Sequence, residues 1–333
     1  MNRSGYVFAM TDETAIEWLL DSERSDPAIR WQVMRDLLEA PRATWEAECA
    51  KVTTQGWGAN LLAHQDSDGQ WAGGAFFPAD FDFEGDEDGQ PWTATSHTLD
   101  MLREFGVDPE VLRRSVELID TNCRWEHEGQ PFWHGEVEPC INGRTVANGA
   151  YFGADISALA QQLVGERLED GGWNCETERG SKRSSFDTTI SVLEGLLEYE
   201  RATGGTAGSQ EARRSGEEYL LERRLFRRLS TGEPLEKYRH FLHPNRWHYD
   251  VLRGLDYFRD AATLTGAGPD PRLAEAIEFV LSRRLADGSW PLDWSPTGRV
   301  WFDVDDGAGE PSRWVTLRAM RVLRWWNGTS PTP

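Results

Sequence analysis

A four-residue pattern, DGxW, occurs three times in the chain: Asp68-Gly69-Gln70-Trp71, Asp170-Gly171-Gly172-Trp173 and Asp287-Gly288-Ser289-Trp290. A turn that recurs with a fixed aromatic residue marks a repeat architecture, and repeats constrain a fold more than any single motif. Each copy follows an amphipathic stretch and precedes a loop and a second, more apolar helical stretch. The Trp-to-Trp separations are 102 and 117 residues, about twice a two-helix unit. Degenerate units are therefore expected between them, and "GQPFWHGE" around Trp133 and "LSTGEPLEKY" around Gly232 stand near the midpoints.

Helical periodicity supplies the rest. The more apolar helices are predicted over 28–40, 93–106, 141–153, 184–200, 247–262 and 312–326. Their partners are predicted near 11–21, 43–65, 109–122, 154–168, 209–227 and 270–285. With almost no strand signal, six pairs predict an all-α (α/α)6 barrel or toroid of six inner and six outer helices over 11–326. Residues 1–10 are expected to be disordered and 327–333 to form a flexible tail. If the pairs alternate, all six inner helices run the same way and their N-termini share one rim. The positive dipole ends gather there, so a site is expected at that rim.

Composition narrows the function. The 333 residues carry 35 Lys+Arg against 56 Asp+Glu, a net charge of −21. Nucleic-acid binding draws on phosphate neutralisation and is not expected of such a chain. No run approaches 18 apolar residues, so no membrane span is expected. The four cysteines, Cys49, Cys123, Cys140 and Cys175, form no CxxC pair, and no apolar leader precedes them. They read as reduced thiols of a cytoplasmic protein. Sixteen Trp suit either a repeated structural device or an aromatic-lined cavity.

The repeated DGxW turns, the Trp spacing and the helix pairs resemble the terpenoid-cyclase and protein-prenyltransferase superfamily, whose squalene-cyclase-like members carry QW repeats. Gln65-x3-Gly69-x-Trp71 keeps the Gln six residues before the Trp, whereas Arg167 and Arg284 stand there in the other copies. The resemblance implies an enzyme (isomerase, lyase or transferase) acting on a small apolar or isoprenoid substrate. Asp303-Val304-Asp305-Asp306 is similar to the DxDD of class II cyclases. That likeness implies that Asp305 donates the initiating proton, with Asp303 and Asp306 holding it protonated. The chemistry is sound, because clustered carboxylates cannot all ionise cheaply. Trp92, Phe186, Trp247, Tyr249 and Trp314 are the candidates to stabilise carbocations through their π faces.

Other constellations compete with that reading. His248 and Asp250, at the predicted start of the fifth inner helix, are a candidate base and acid; a capped helix with aromatic packing is the ordinary alternative. Arg30, Arg144, Arg183, Arg246 and Arg313 lie near inner-helix starts, where cations are unfavourable unless something negative faces them. The partners are either the protein's own carboxylates (Glu136, Glu138, Asp187, Asp305) or an anionic substrate group. Arg144, Asp187 and Arg313 are accordingly expected at the cavity mouth. No resident cofactor is expected, although Glu138, Cys140, Cys175 and His248, or His240, His243 and His248, have donor types that suit zinc. The acidic run of Asp80, Asp82, Glu84, Asp86, Glu87 and Asp88 offers oxygen donors for a divalent cation, and otherwise reads as a solvated loop.

Two further functions remain open. One is a carbohydrate-active α/α barrel using a carboxylate pair such as Asp187 and Asp250. The other is a non-catalytic toroid that binds a small ligand or peptide. The cavity lining discriminates among them: apolar and aromatic for an isoprenoid, polar with carboxylates for a sugar, filled for a scaffold.

Overall fold

A computed structural model describes residues 10–85 and 89–328. The expected disordered terminus (apart from Met10), most of the tail, and Asp86, Glu87 and Asp88 lie outside the described residues. Thirteen α-helices and no strands occur among the described residues. The inner layer is α2 (Pro27–Asp36), α5 (Thr95–Phe105), α7 (Pro139–Phe152), α9 (Phe186–Thr203), α11 (Val251–Thr265) and α13 (Arg313–Trp326). The outer layer is α1 (Met10–Leu20), α3 (Arg42–Cys49) with α4 (Gly56–Ala63), α6 (Arg113–Asn122), α8 (Ser157–Gly165), α10 (Ala207–Glu222) and α12 (Ala274–Ser282). Each inner helix packs on the next inner helix, and α13 returns to α2 to close the ring.

Local chemistry sets the helix ends. The side chains of Asp26, Ser185, Asp250 and Ser312 accept backbone N–H groups in the first turns of α2, α9, α11 and α13, and Pro opens α2 and α7. The outer element expected over 43–65 breaks in two. Gly56 adopts φ +65 there, where a Cβ would fall 2.0 Å from the Asp26 carboxylate. That same carboxylate accepts the Trp57 N–H at 2.8 Å.

The three DGxW turns are equivalent in detail. Trp71, Trp173 and Trp290 are all fully buried. Each indole N–H donates at 2.7 Å to a carbonyl ten residues earlier, that of Leu61, Leu163 and Val280 in turn. Each backbone N–H donates to a threonine hydroxyl on the following inner helix: Thr95, Thr189 and Thr316. Gln65 donates to the Gly69 carbonyl at 2.9 Å, and Arg284, its counterpart in the third copy, donates to Gly288 at 3.1 Å. A guanidinium can therefore do what the glutamine does, because the turn asks only for a donor.

The closest helix crossing is that of α7 and α9. A Cβ on Gly143 would lie 2.4 Å from the Ser191 carbonyl, and one on Gly195 would lie 2.3 Å from that of Gly143. Only glycine permits this approach.

Candidate functional site

The ring encloses a cavity of about 1100 Å³, and its opening is at the end opposite to the expected rim. Lining residues at the C-terminal ends of the inner helices, such as Glu39, Arg201 and Thr263, are exposed, whereas Asn245, Arg246 and Arg144 at the other end are buried. Two long connections cover the N-terminal rim. The segment before α13 lies across the start of α5: Trp92 donates from its backbone to the Arg299 carbonyl at 2.7 Å and from its indole to that of Thr297 at 2.8 Å. The segment before α11 supplies Pro244, Asn245 and Arg246 as the floor of the cavity.

The lining is strongly charged. Ten arginines, eight carboxylates and no lysine contribute to it, so a chain of net charge −21 surrounds a cavity in which cations outnumber anions. Most of these charges are paired. Arg253 grips Glu194 through two hydrogen bonds of 2.8 and 2.6 Å. Arg318 pairs with Glu104 at 2.5 Å, Arg321 with Asp256, and Arg144 with Asp100. Burial by itself would raise the pKa of Glu104 and Asp36, but Arg318 and His243 hold Glu104, and Arg35, Arg259 and Arg321 hold Asp36, well below the ordinary carboxylate range. Asp256 is lowered in the same way by Arg321 and Arg259 against its burial. These carboxylates are therefore ionised acceptors, not acids.

Arg103 bonds to the Asn148 amide oxygen at 3.0 Å instead of a carboxylate, and Arg246 differs from all of these. It is 9% exposed, its backbone is left-handed at φ 53, and its Nη1 has no hydrogen-bond partner. Among the described residues no carboxylate pairs with it, and its guanidinium lies over the Trp92 ring at 5.1 Å. Burial pushes its pKa down to about 10. Burial, together with the charges of Arg253 and Arg246, pushes Arg144 down to about 9. Three guanidiniums thus share the floor, and the only carboxylate charge opposing Arg246 among the described residues, that of Glu104, makes no ion pair with it.

The sequence candidates are distributed differently. Of the five arginines near inner-helix starts, Arg144 and Arg246 line the cavity. Arg30 pairs with Glu48 at 2.6 Å and Arg183 is exposed. Arg313 lies over the outer Trp18 ring, 3.9 Å from Asp306. Asp187, His248, Asp250 and Arg313 are absent from the lining, so Arg144 is the one of the residues expected at the mouth that reaches the cavity, although the charges of Asp187 and Arg144 still act on His248. Asp250 caps α11, accepting from Arg253, Leu242 and Asn245, and burial raises its pKa. Asp187 accepts the Tyr249 N–H at 2.8 Å and the Tyr238 hydroxyl at 3.1 Å. His248 packs between Trp247 and Trp294, and burial pushes its pKa down to about 4. Phe186 and Tyr249 pack on Tyr238, Trp92 covers the rim, and Trp314 stacks on Trp57, Phe105 and His243. Those four candidate aromatics are buried in the wall and Trp247 is exposed; the aromatic side chains on the cavity itself are Trp31, Trp45, Tyr151 and Tyr257.

The acidic tetrad separates into two environments. Asp303 is exposed and the Asp306 side chain is 72% exposed, whereas the Asp305 side chain is 5% exposed. Asp305 lies 3.2 Å from Nδ1 of the fully buried His243, whose Nε2 lies 3.4 Å from Glu104. Of that series only Glu104 reaches the cavity. The three carboxylates therefore do not share one shielded site, as the DVDD reading expects: one is shielded and two face solvent.

Of the metal-binding candidates, Glu138, Cys140 and Cys175 converge, their ligand atoms within 4.8 Å of one another. His248 is not in that group, and no other group of this kind occurs among the described residues. The cavity charges themselves were missed by sequence reasoning. Their signal was visible as Arg and Asp/Glu spaced three or four apart on the inner helices, for example Arg318 and Arg321, or Arg253, Asp256 and Asp260. Such stripes ordinarily mark a solvated face.

No family model matches the chain, and neither does any curated protein. Among solved structures it is similar to a glycosyl hydrolase family 88 protein from Bacteroides vulgatus, with 10% identity and a TM-score of 0.52 over 95% of this chain and all of that one. It is also similar to a type II terpene cyclase from Scytonema, solved with geranylgeranyl dihydroxybenzoate (13% identity, TM-score 0.46, 97% of each chain). A polysaccharide lyase matches at 9% identity and a TM-score of 0.47, over 95% of this chain and 98% of that one. The fold is an α/α toroid. At these identities the likeness extends to the toroid and leaves the chemistry to the cavity, and the squalene-cyclase type of repeat is not singled out. No helix among the described residues is long and apolar enough to cross a membrane.

Proposed function

We propose that the toroid binds a small polar molecule carrying an anionic group, seated in the central cavity with its anion on Arg246, Arg144 and Arg253. The observation that carries this reading is the buried Arg246 guanidinium without a carboxylate partner. An unpaired buried cation costs several kcal/mol, and a ligand oxyanion removes that cost. A guanidinium is also the side chain best shaped to hold carboxylate or phosphate oxygens through paired N–H groups. The remaining charges offer fixed donors and acceptors of the kind that hydroxyl groups satisfy. The reading therefore belongs with the carbohydrate-type alternative, a sugar acid or sugar phosphate, and not with an isoprenoid chain. Because arginines hold Glu104, Asp36 and Asp256 ionised, these groups act as hydrogen-bond acceptors and are poor proton acceptors, and binding is the part of the function that the cavity supports.

One observation favours a second reading, proton-initiated cyclisation: Asp305 is shielded and within hydrogen-bond reach of His243. That reading needs substrate to reach Asp305, which does not line the cavity.

Calorimetric titration with glucuronate, glucose 6-phosphate, pyrophosphate, geranylgeraniol and geranylgeranyl diphosphate separates the two. The expected result is binding of the polar anions, with Arg246→Gln weakening it about 10- to 100-fold, the worth of one charge-assisted hydrogen bond. Neutral geranylgeraniol binding as tightly as the anions, with no loss in Arg246→Gln, would overturn the proposal.

A further inference from the structure

Cys140 and Cys175 are 35 residues apart in sequence, yet their Sγ atoms are 2.7 Å apart. Two independent elements bring them together. Cys140 is the second residue of α7, and Cys175 opens the short 3-10 turn Cys175–Thr177 just after the Trp173 turn. The Cys175 N–H donates to the Thr188 hydroxyl at 3.2 Å, and its sulfur lies 3.3 Å from the same oxygen. On the other side the Cys140 thiol donates to the Glu138 carboxylate at 3.4 Å. Both cysteines are partly accessible to solvent. The remaining two stand alone: Cys123 is fully buried, and the Cys49 thiol donates to the Gly106 carbonyl.

We propose that Cys140 and Cys175 are a redox-active dithiol that closes to a disulfide, with Glu138 as the proton acceptor for the closing step. The co-reactant is a small-molecule disulfide of the glutathione class. The Cys175 thiolate attacks one sulfur of that disulfide, its own proton having gone to water, and one molecule of thiolate leaves. The Cys140 proton then passes to Glu138 while its sulfur attacks the Cys175 sulfur, and a second thiolate leaves and takes up that proton. Two protein thiols are oxidised, one small disulfide is reduced to two thiols, and the two electrons balance. The order follows from the surroundings. The Cys140 thiol donates to the Glu138 carboxylate, which keeps its proton in place, whereas the Cys175 sulfur has only the Thr188 hydroxyl and Cys140 beside it, so Cys175 attacks first and Cys140 resolves.

The test exposes the full-length protein to graded mixtures of oxidised and reduced glutathione, traps free thiols with N-ethylmaleimide and maps the products by mass spectrometry. The expected outcome is a single Cys140–Cys175 linkage, with Cys49 and Cys123 alkylated after denaturation. Cys140→Ser should instead keep one glutathione on Cys175. Glu138→Gln should accumulate that mixed disulfide and close more slowly. Cross-linking a 35-residue span should raise the melting temperature by about 5 °C. Four free thiols across the whole range, or linkages involving Cys49 or Cys123, would overturn the proposal. So would a stoichiometric metal ion in the isolated protein that blocks alkylation of this pair until a chelator is added.

Discussion

The Trp turns and the cavity floor differ in how completely they satisfy themselves. At Trp71, Trp173 and Trp290 every polar group of the turn named above has a partner within its own repeat: an indole N–H on a carbonyl, a backbone N–H on a threonine. At the floor, Arg246 Nη1 lacks a hydrogen-bond partner, and its charge and that of Arg253 both act against Arg144. A region with every group satisfied holds the ring together, and a region left short of one negative charge is poised for something from outside. Stability and binding should therefore respond to different mutations.

The largest expected effect is in the turns. Trp173→Ala removes a fully buried indole and should cost about 3–5 kcal/mol, read as a lower urea midpoint. Anion affinity measured on the folded protein should stay within a few-fold of wild type, and loss of both together would break the distinction between the two regions.

Acid should act next, and on the cavity. Glu104 and Asp36 have folded-state pKa values below their ordinary values of 4.5 and 3.8. Their contribution to stability is thus present above those values and is lost as pH falls below about 4.5 and towards the folded-state values. Buried Asp250 opposes this, since its raised pKa makes its ionised form unfavourable in the folded state, a penalty relieved on acidification. A chemical-denaturation series from pH 7 to pH 3 in wild type and Arg321→Gln should show a smaller acid loss in the variant, where the salt bridges to Asp256 and Asp36 are already gone. Equal slopes would mean that the cavity pairs do not govern acid stability.

Arg246→Met sharpens the contrast most directly. Replacing an unpaired buried cation by an apolar side chain of similar length should leave the ligand-free protein as stable as wild type, or more stable by about 1–3 kcal/mol. The increase in melting temperature on adding glucose 6-phosphate or pyrophosphate should disappear. Destabilisation without ligand would show that Arg246 is a structural residue.

The smallest effect is expected at Thr316→Val, which strips the hydroxyl from the Trp290 N–H while keeping the shape. It should cost about 1–2 kcal/mol in denaturant unfolding and leave anion binding unchanged.

The sequence by itself determined the toroid, its alternating layers and its turns, because those features rest on short-range physics. The helical period repeats within a dozen residues, and the bonds that lock each Trp turn span 10 to 26 residues of chain. Even the replacement of Gln65 by Arg284 changes only the donor. The tertiary structure decided which end of the ring is open and what faces the cavity. The open end follows from Trp92 meeting Thr297, 205 residues away, a contact that covers the rim where the helix dipoles had suggested a site. The lining follows from pairs such as Arg318 with Glu104, 214 residues apart, and Arg321 with Asp256, 65 apart. A charged stripe on one helix reads as a solvated face until closure of the ring places it against its partners across the cavity. Arg246 could be suspected from its position near a helix start, but its isolation could not, because an unpaired charge is defined by all the residues around it.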